Sequence, residues 1–398
     1  MEAMLMKPSP QLGSGSPGDT ITPFSVSVPQ ADLDDLRRRL AATRLPDKES
    51  VGDWSQGVPL AKAQSLLDYW QDRYDWRKFE ARLNKLPQFR TTIDGIGIHF
   101  LHVRSVHAEA LPLILTHGWP GSIIEFLDVI EPLVDPVRHG GSAEDAFHLV
   151  IPSLPGFGFS DKPVEPGWHL GRTARAWATL MKRLGYPRWV AQGGDWGAGL
   201  AIVLAQQQPD GLVAAHVNWP MVFPKELPSS PTPEEQRAID DRAGFLASGS
   251  SYFRQQASRP QTLGYGLADS PIGQAMWIYE KFWDWTDNKG APEDALSTVA
   301  MLDNITLYWL TNSATSSART YWENTQSGHV GHGKGRVELP MAGTVFPREI
   351  FRAPRIWAER EWPNLFYWNE LDKGGHFAAF EQPTLFVREL RHAFAAIR

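Results

Sequence analysis

Residues 190–200 read "VAQGGDWGAGL", an apolar strand-like run that passes into an apolar helix-like one. Between the two lies Gly193-Gly194-Asp195-Trp196-Gly197, a Gly-x-Asp-x-Gly turn. Small residues on both sides of a lifted central residue suit a sharp, strained strand-to-helix elbow that exposes one side chain above a sheet. Serine usually holds that centre, and here it is Asp195. Alone the pattern is weak, because Asp195 is equally a good N-cap for a helix over 196–208. The rest of the chain has to decide.

On either side of the elbow, strands alternate with helices. "LPLILT" (111–116) is a short continuous apolar run, the mark of a buried strand. A helix from about 122 to 134 follows, then a strand in 146–156, a helix in 173–185, a strand in 188–194 and another in 212–219. Upstream, "FRTTIDGIGIHFLHV" (89–103) alternates around Asp94-Gly95, a hairpin signal. Alternation resumes with strands in 342–347 and 364–371 and a last helix beyond His376. This order implies a mostly parallel sheet with right-handed crossovers, and with the elbow it gives an α/β-hydrolase fold.

Two segments stand outside the alternation. Residues 1–22 are rich in Pro, Gly and Ser and are expected to be disordered. Helical periodicity follows in "ADLDDLRRRL" (31–40) and "LAKAQSLLDYWQDRYDW" (60–76). Between 221 and 340, Pro- and Ser-rich joints separate helical stretches, which reads as a helical insertion. The expected organisation is a lead-in over 1–88, a core over 89–220 and 341–398, and a helical lid over 221–340.

Composition narrows the function. The 398 residues are 42% hydrophobic with 17 Trp, enough for a large core. A net charge of −6 with no basic run speaks against nucleic-acid or anionic-membrane binding. Without cysteine there is no disulfide, thiolate nucleophile or Cys-ligated metal. No apolar leader or span of about 20 residues is visible, so a soluble, cytoplasmic protein without a membrane anchor is expected.

Several residues complete a catalytic constellation. His117-Gly118-Trp119-Pro120-Gly121 follows the strand 111–116, where this fold places half of its oxyanion hole. The donors expected are the backbone N–H groups of Trp119 and Trp196, with Pro120 in a cis turn. His376, after the last strand, is the candidate base. Its acid partner is Glu349 in "AGTVFPREI", with Asp372 as rival; Asp372 shares the loop of His376, from which Nδ1 is harder to reach.

A carboxylate nucleophile changes the chemistry. It is too weak to cleave esters or amides, but it can displace at a strained or activated sp³ carbon and form an alkyl-enzyme ester. Water activated by His376 and oriented through Glu349 then attacks the ester carbonyl. Epoxides and alkyl halides both fit. A halide leaves as an anion, whereas an epoxide oxygen stays attached and needs a proton, which phenols from the helical insertion can supply.

The motifs "HGWPGS", "SLPGFGFS" (153–160), "QGGDWG", "FPRE" and "GGHFAAFEQP" occur in an order that resembles the epoxide hydrolases of microsomal type. The resemblance covers most of the chain, including the lead-in of about ninety residues. It implies Asp195 as nucleophile, His376 as base, Glu349 as its partner, and no cofactor. It also implies two lid tyrosines as donors to the epoxide oxygen, best matched by Tyr252 and Tyr321, with Tyr265 and Tyr308 as competitors. Animal members carry an N-terminal membrane anchor that this chain lacks, so a soluble microbial-style member is expected.

A few signals lead elsewhere. Gly333-Lys334 lacks the following Ser/Thr of a phosphate loop, and His329 and His332 lack nearby acids for a metal. The aromatic lid favours a bulky apolar or aryl epoxide as the small-molecule partner. A homodimer through the lead-in or lid is the assembly expected. Two alternatives remain open: a haloalkane or haloacid dehalogenase of the same fold, and a non-catalytic ligand receptor.

Overall fold

The computed structural model describes residues 20–328 and 335–398. His329, His332 and the Gly333-Lys334 pair lie outside them, as do residues 1–19 of the segment expected to be disordered. The end of that segment is a correction: Thr22 opens a short strand, β1 (Thr22–Phe24).

Eight further strands follow: β2 (Gln88–Ile93), β3 (Ile96–Val103), β4 (Leu111–Thr116), β5 (Phe147–Pro152), β6 (Trp189–Gly193), β7 (Leu212–Val217), β8 (Met341–Val345) and β9 (Leu365–Glu370). They form one sheet in the order β1-β2-β3-β5-β4-β6-β7-β8-β9. The first strands pair antiparallel, and from β5 onward every neighbour is parallel. Asp94 and Gly95, both at positive φ, make the two-residue turn between β2 and β3.

Side chains on these strands alternate between two apolar layers. Ile114, Val150 and Ala191 join one cluster, while Leu113, Leu115, Leu149, Ile151 and Val190 join the other. Successive strand side chains point to opposite faces, so both faces of the sheet are buried. The helices Leu170–Arg183 and Trp196–Gln207 cover the first face, and Leu127–Val134 and Pro383–Phe394 the second. The helix after the elbow is buried from Trp196 through Ala205, which explains its uniformly apolar sequence.

Between β7 and β8 the chain builds helices from Pro233 to Gln326. The N-terminal segment clasps them. Tyr74 donates to Asp303 at 2.8 Å, Arg39 pairs with Asp269, and Trp54 stacks on Trp283 with ring centroids 4.5 Å apart. The expected helix 60–76 is in fact two, Leu60–Asp72 and Trp76–Leu83, because Asp75 caps the second by accepting from Arg77 N–H. Among the described residues no helix is long and apolar enough to cross a membrane.

Parallel strands bring their C-terminal ends to one edge, where α/β sheets place their sites. β4 ends just before His117, β6 at the elbow, β8 just before Glu349 and β9 just before the His376 loop.

Candidate active site

The elbow is strained at its centre. Asp195 has φ 50° and ψ −127°, a region that costs a non-glycine residue about 1–3 kcal/mol unless the surroundings hold it. They do so by close packing. A Cβ at Gly193 would overlap the Gly197 carbonyl, and one at Gly197 would overlap the Thr116 carbonyl. The Asp195 side chain does not cap the helix that follows; its backbone carbonyl accepts from Ala198 and Gly199 instead. The carboxylate turns toward the loop after β4, where Oδ1 accepts from the Trp119 N–H at 2.8 Å. Gly118 makes room for that oxygen, since a Cβ there would overlap it. The Trp119–Pro120 bond is cis.

His376 stands between two carboxylates. Its Nδ1 lies 2.5 Å from Glu349 Oε1, and its Nε2 lies 3.3 Å from Asp195 Oδ2. Only 2% of the His376 side chain and none of Glu349 is exposed, against 12% of Asp195. Asp372 is exposed on the surface. The histidine loop is tied to the segment after the Pro271–Trp285 helix: His376 N–H donates to the Trp285 carbonyl at 2.9 Å, and Gly374 N–H to Asp287. Buried Glu381 accepts from Asp287 and Phe377 N–H groups and closes the tie. Burial disfavours the imidazolium, but Glu349 and Asp195 outweigh it and hold the His376 pKa well above its ordinary value.

Two phenols face this centre from the helices between β7 and β8. Tyr252 lies on Ser251–Ser258 and Tyr321 on Ala314–Gln326, both buried. Tyr252 stacks on Trp119 at 5.1 Å between centroids, and Tyr321 meets Trp119 and Trp196 edge-on. The two phenol rings are 5.8 Å apart. Burial, then nearby charge that includes Asp195, raises both pKa values well above the usual tyrosine range. The competitors are placed elsewhere: Tyr265 is 71% exposed, and the Tyr308 hydroxyl donates to the Gly121 carbonyl at 2.8 Å.

Sequence reasoning missed two contributors. Trp285 supplies both the carbonyl that holds His376 and a ring 5.0 Å from the imidazole. Glu125 lines a small cavity together with Asp195 and His376. Its only sequence signal is Ser122-x-x-Glu125, which reads as an ordinary helix start. Among the described residues no three His, Asp or Glu side chains are grouped to hold a metal ion.

Elbow, facing loop and sheet order define an α/β-hydrolase, and residues 112–259 match the family model described as alpha/beta hydrolase fold. Residues 21–126 match the model described as epoxide hydrolase N terminus. The chain is 62% identical over 95% of its length to a Stigmatella aurantiaca protein named "Putative epoxide hydrolase", covering 86% of it. It is 34% identical over 94% of its length to epoxide hydrolase 1 of Oryctolagus cuniculus, covering 89% of that protein. The solved structure of Aspergillus niger epoxide hydrolase superposes with a TM-score of 0.85 at 33% identity, over 95% of this chain and 97% of that one. Juvenile hormone epoxide hydrolase from Bombyx mori superposes with a TM-score of 0.88 at 30% identity, over 95% of each chain. The chain belongs to the epoxide hydrolase family.

Proposed function

We propose that this protein hydrolyses an epoxide to a vicinal diol, without cofactor, through an ester on Asp195. The observation that carries the reading is the His376 imidazole set between Glu349 and the elbow carboxylate. Asp195 Oδ2 attacks an epoxide carbon while Oδ1 stays on the Trp119 N–H. The carbon–oxygen bond of the ring breaks, and the oxygen takes a proton from Tyr252 or Tyr321. The product is a hydroxyalkyl ester of Asp195.

Alkylation then changes the histidine. In the free protein the Asp195 charge is among the causes that keep His376 protonated. A neutral ester removes that charge, so the imidazolium gives up its proton more readily; the tyrosinate left by ring opening takes that proton, and the neutral imidazole becomes a base. Water gives a proton to Nε2 as its oxygen bonds to Asp195 Cγ. The oxyanion forms on Oδ1, at the N–H groups of Trp119 and Trp196. Collapse breaks the ester bond, the alkoxide takes the proton from His376, the new Asp195 carboxylic acid passes its proton to His376, and the diol leaves.

The lining of Trp119, Trp196, Trp285, Tyr252, Tyr321 and Phe253 favours a bulky apolar or aryl epoxide. The helices between β7 and β8 serve as the lid that carries the phenols, over the core of residues 89–220 and 341–398. Diol formation from styrene oxide, measured beside halide release from simple haloalkanes, tests the reading. Diol formation is expected; halide release alone would favour a dehalogenase, and tight binding without turnover a receptor.

A further inference from the structure

The loop after β4 seats two carboxyl groups, each against a glycine. Gly118 makes room for Asp195 Oδ1, and Gly121 does the same for Glu125, whose Oε1 occupies the space that a Cβ at Gly121 would take. Glu125 sits in the short helix Ile123–Phe126, deep in the protein, yet keeps some accessible surface, as a side chain facing a cavity does. That cavity measures about 10 Å³, with Glu125, Asp195, His376 and Asn218 on one side and Phe126, Phe377 and Phe386 among its apolar walls. This is close to the smallest space that one water occupies, and the polar side offers the two to four partners a water needs.

The geometry points to Glu125 as a second anchor for the water that opens the Asp195 ester. The inference rests on the alkyl-enzyme reading above. A water in this cavity donates one hydrogen to His376 Nε2 and the other to a carboxyl oxygen of Glu125. One of its two lone pairs is then aimed at Asp195 Cγ. Proton and electron balance is unchanged: the new bond is water oxygen to Cγ, His376 takes the proton, and Glu125 only accepts a hydrogen bond. Burial first, with the Asp195 charge adding and His376 opposing, pushes the Glu125 pKa up to about 8. Before alkylation the group is therefore mostly a neutral acid at neutral pH. Glu381 is the other acid that bears on it.

A competing account makes Glu125 a cap, since its carboxylate also interacts with the Ser122 backbone. Single-turnover kinetics separates the two, with alkylation and ester hydrolysis followed individually on the full chain and styrene oxide as probe. Glu125→Leu is expected to slow ester hydrolysis about tenfold or more while alkylation changes less than about twofold. Glu125→Gln keeps a carbonyl acceptor and is expected to restore hydrolysis to within about threefold of the parent. Gly121→Ala, which only displaces the carboxyl, should slow hydrolysis selectively with Glu125 still present, and it serves if the leucine variant does not fold. Hydrolysis at the parental rate in the leucine and Gly121→Ala variants, or equal losses in both steps, would overturn the role of Glu125. If the parent formed no alkyl-enzyme at all, the reading of Asp195 itself would fail instead.

Discussion

Nε2 of His376 lies 3.3 Å from Oδ2 of Asp195, while Oδ1 of the same carboxylate is held by the Trp119 N–H at 2.8 Å. The two oxygens of Asp195 are therefore in different environments before any substrate arrives. One faces the His376 imidazole and the other a backbone N–H, a division that a helix cap would not need.

The phenols should act in the first step. Tyr252→Phe and Tyr321→Phe each remove one donor without changing the ring packing around Trp119. Each is expected to slow alkylation about tenfold or more, and the double variant about 10²-fold or more. Rapid-quench measurement of the alkyl-enzyme checks this, and unchanged rates in both single variants would remove them from the site.

Glu349 should act in the second step. It is buried and holds Nδ1, so Glu349→Gln keeps the volume but leaves the imidazole without its charge partner. Ester hydrolysis is expected to fall about 10²-fold or more, with accumulation of the alkyl-enzyme visible in stopped-flow traces.

The elbow should tolerate no added methyl group. Gly197→Ala drives a Cβ into the Thr116 carbonyl, which only backbone movement can relieve. A loss of about 3 kcal/mol or more is expected in denaturant unfolding. Gly244→Ala is the control. That residue ends the helix Pro233–Gly244 in αR geometry with open space beside it, so a gain of about 0.4–1 kcal/mol is expected.

Acid should unfold the protein partly through buried neutral histidines. Burial lowers His99 to about 3 and His216 and His117 to about 4. Below pH 6.5 the unfolded chain binds these protons and the folded one does not, so their stabilising contribution is lost as pH falls from 6.5 toward 4. His99→Gln should flatten that decline by about 1.4 kcal/mol per pH unit, read from urea midpoints across the range. A parallel decline in parent and variant would contradict it.

Much of this architecture is visible in the residues alone, for local reasons. Gly193 and Gly197 announce the elbow because nothing larger fits, and Asp94-Gly95 announces its hairpin because both residues take positive φ. What stays hidden depends on distant partners. Thr22–Phe24 is a strand only because Gln88–Arg90 lies beside it. The helices Ser251–Ser258, Pro260–Asp269 and Ala314–Gln326 hold through packing on one another. Glu125 looks like a cap in one dimension and joins Asp195 and His376 only in three.

The most direct measurement is intact-protein and peptide mass spectrometry of His376→Gln after mixing with styrene oxide. Without the base, alkylation should proceed and hydrolysis should stop. A stable adduct of one epoxide mass is predicted on a peptide containing Asp195. No adduct, or one on another residue, would contradict Asp195 as the nucleophile.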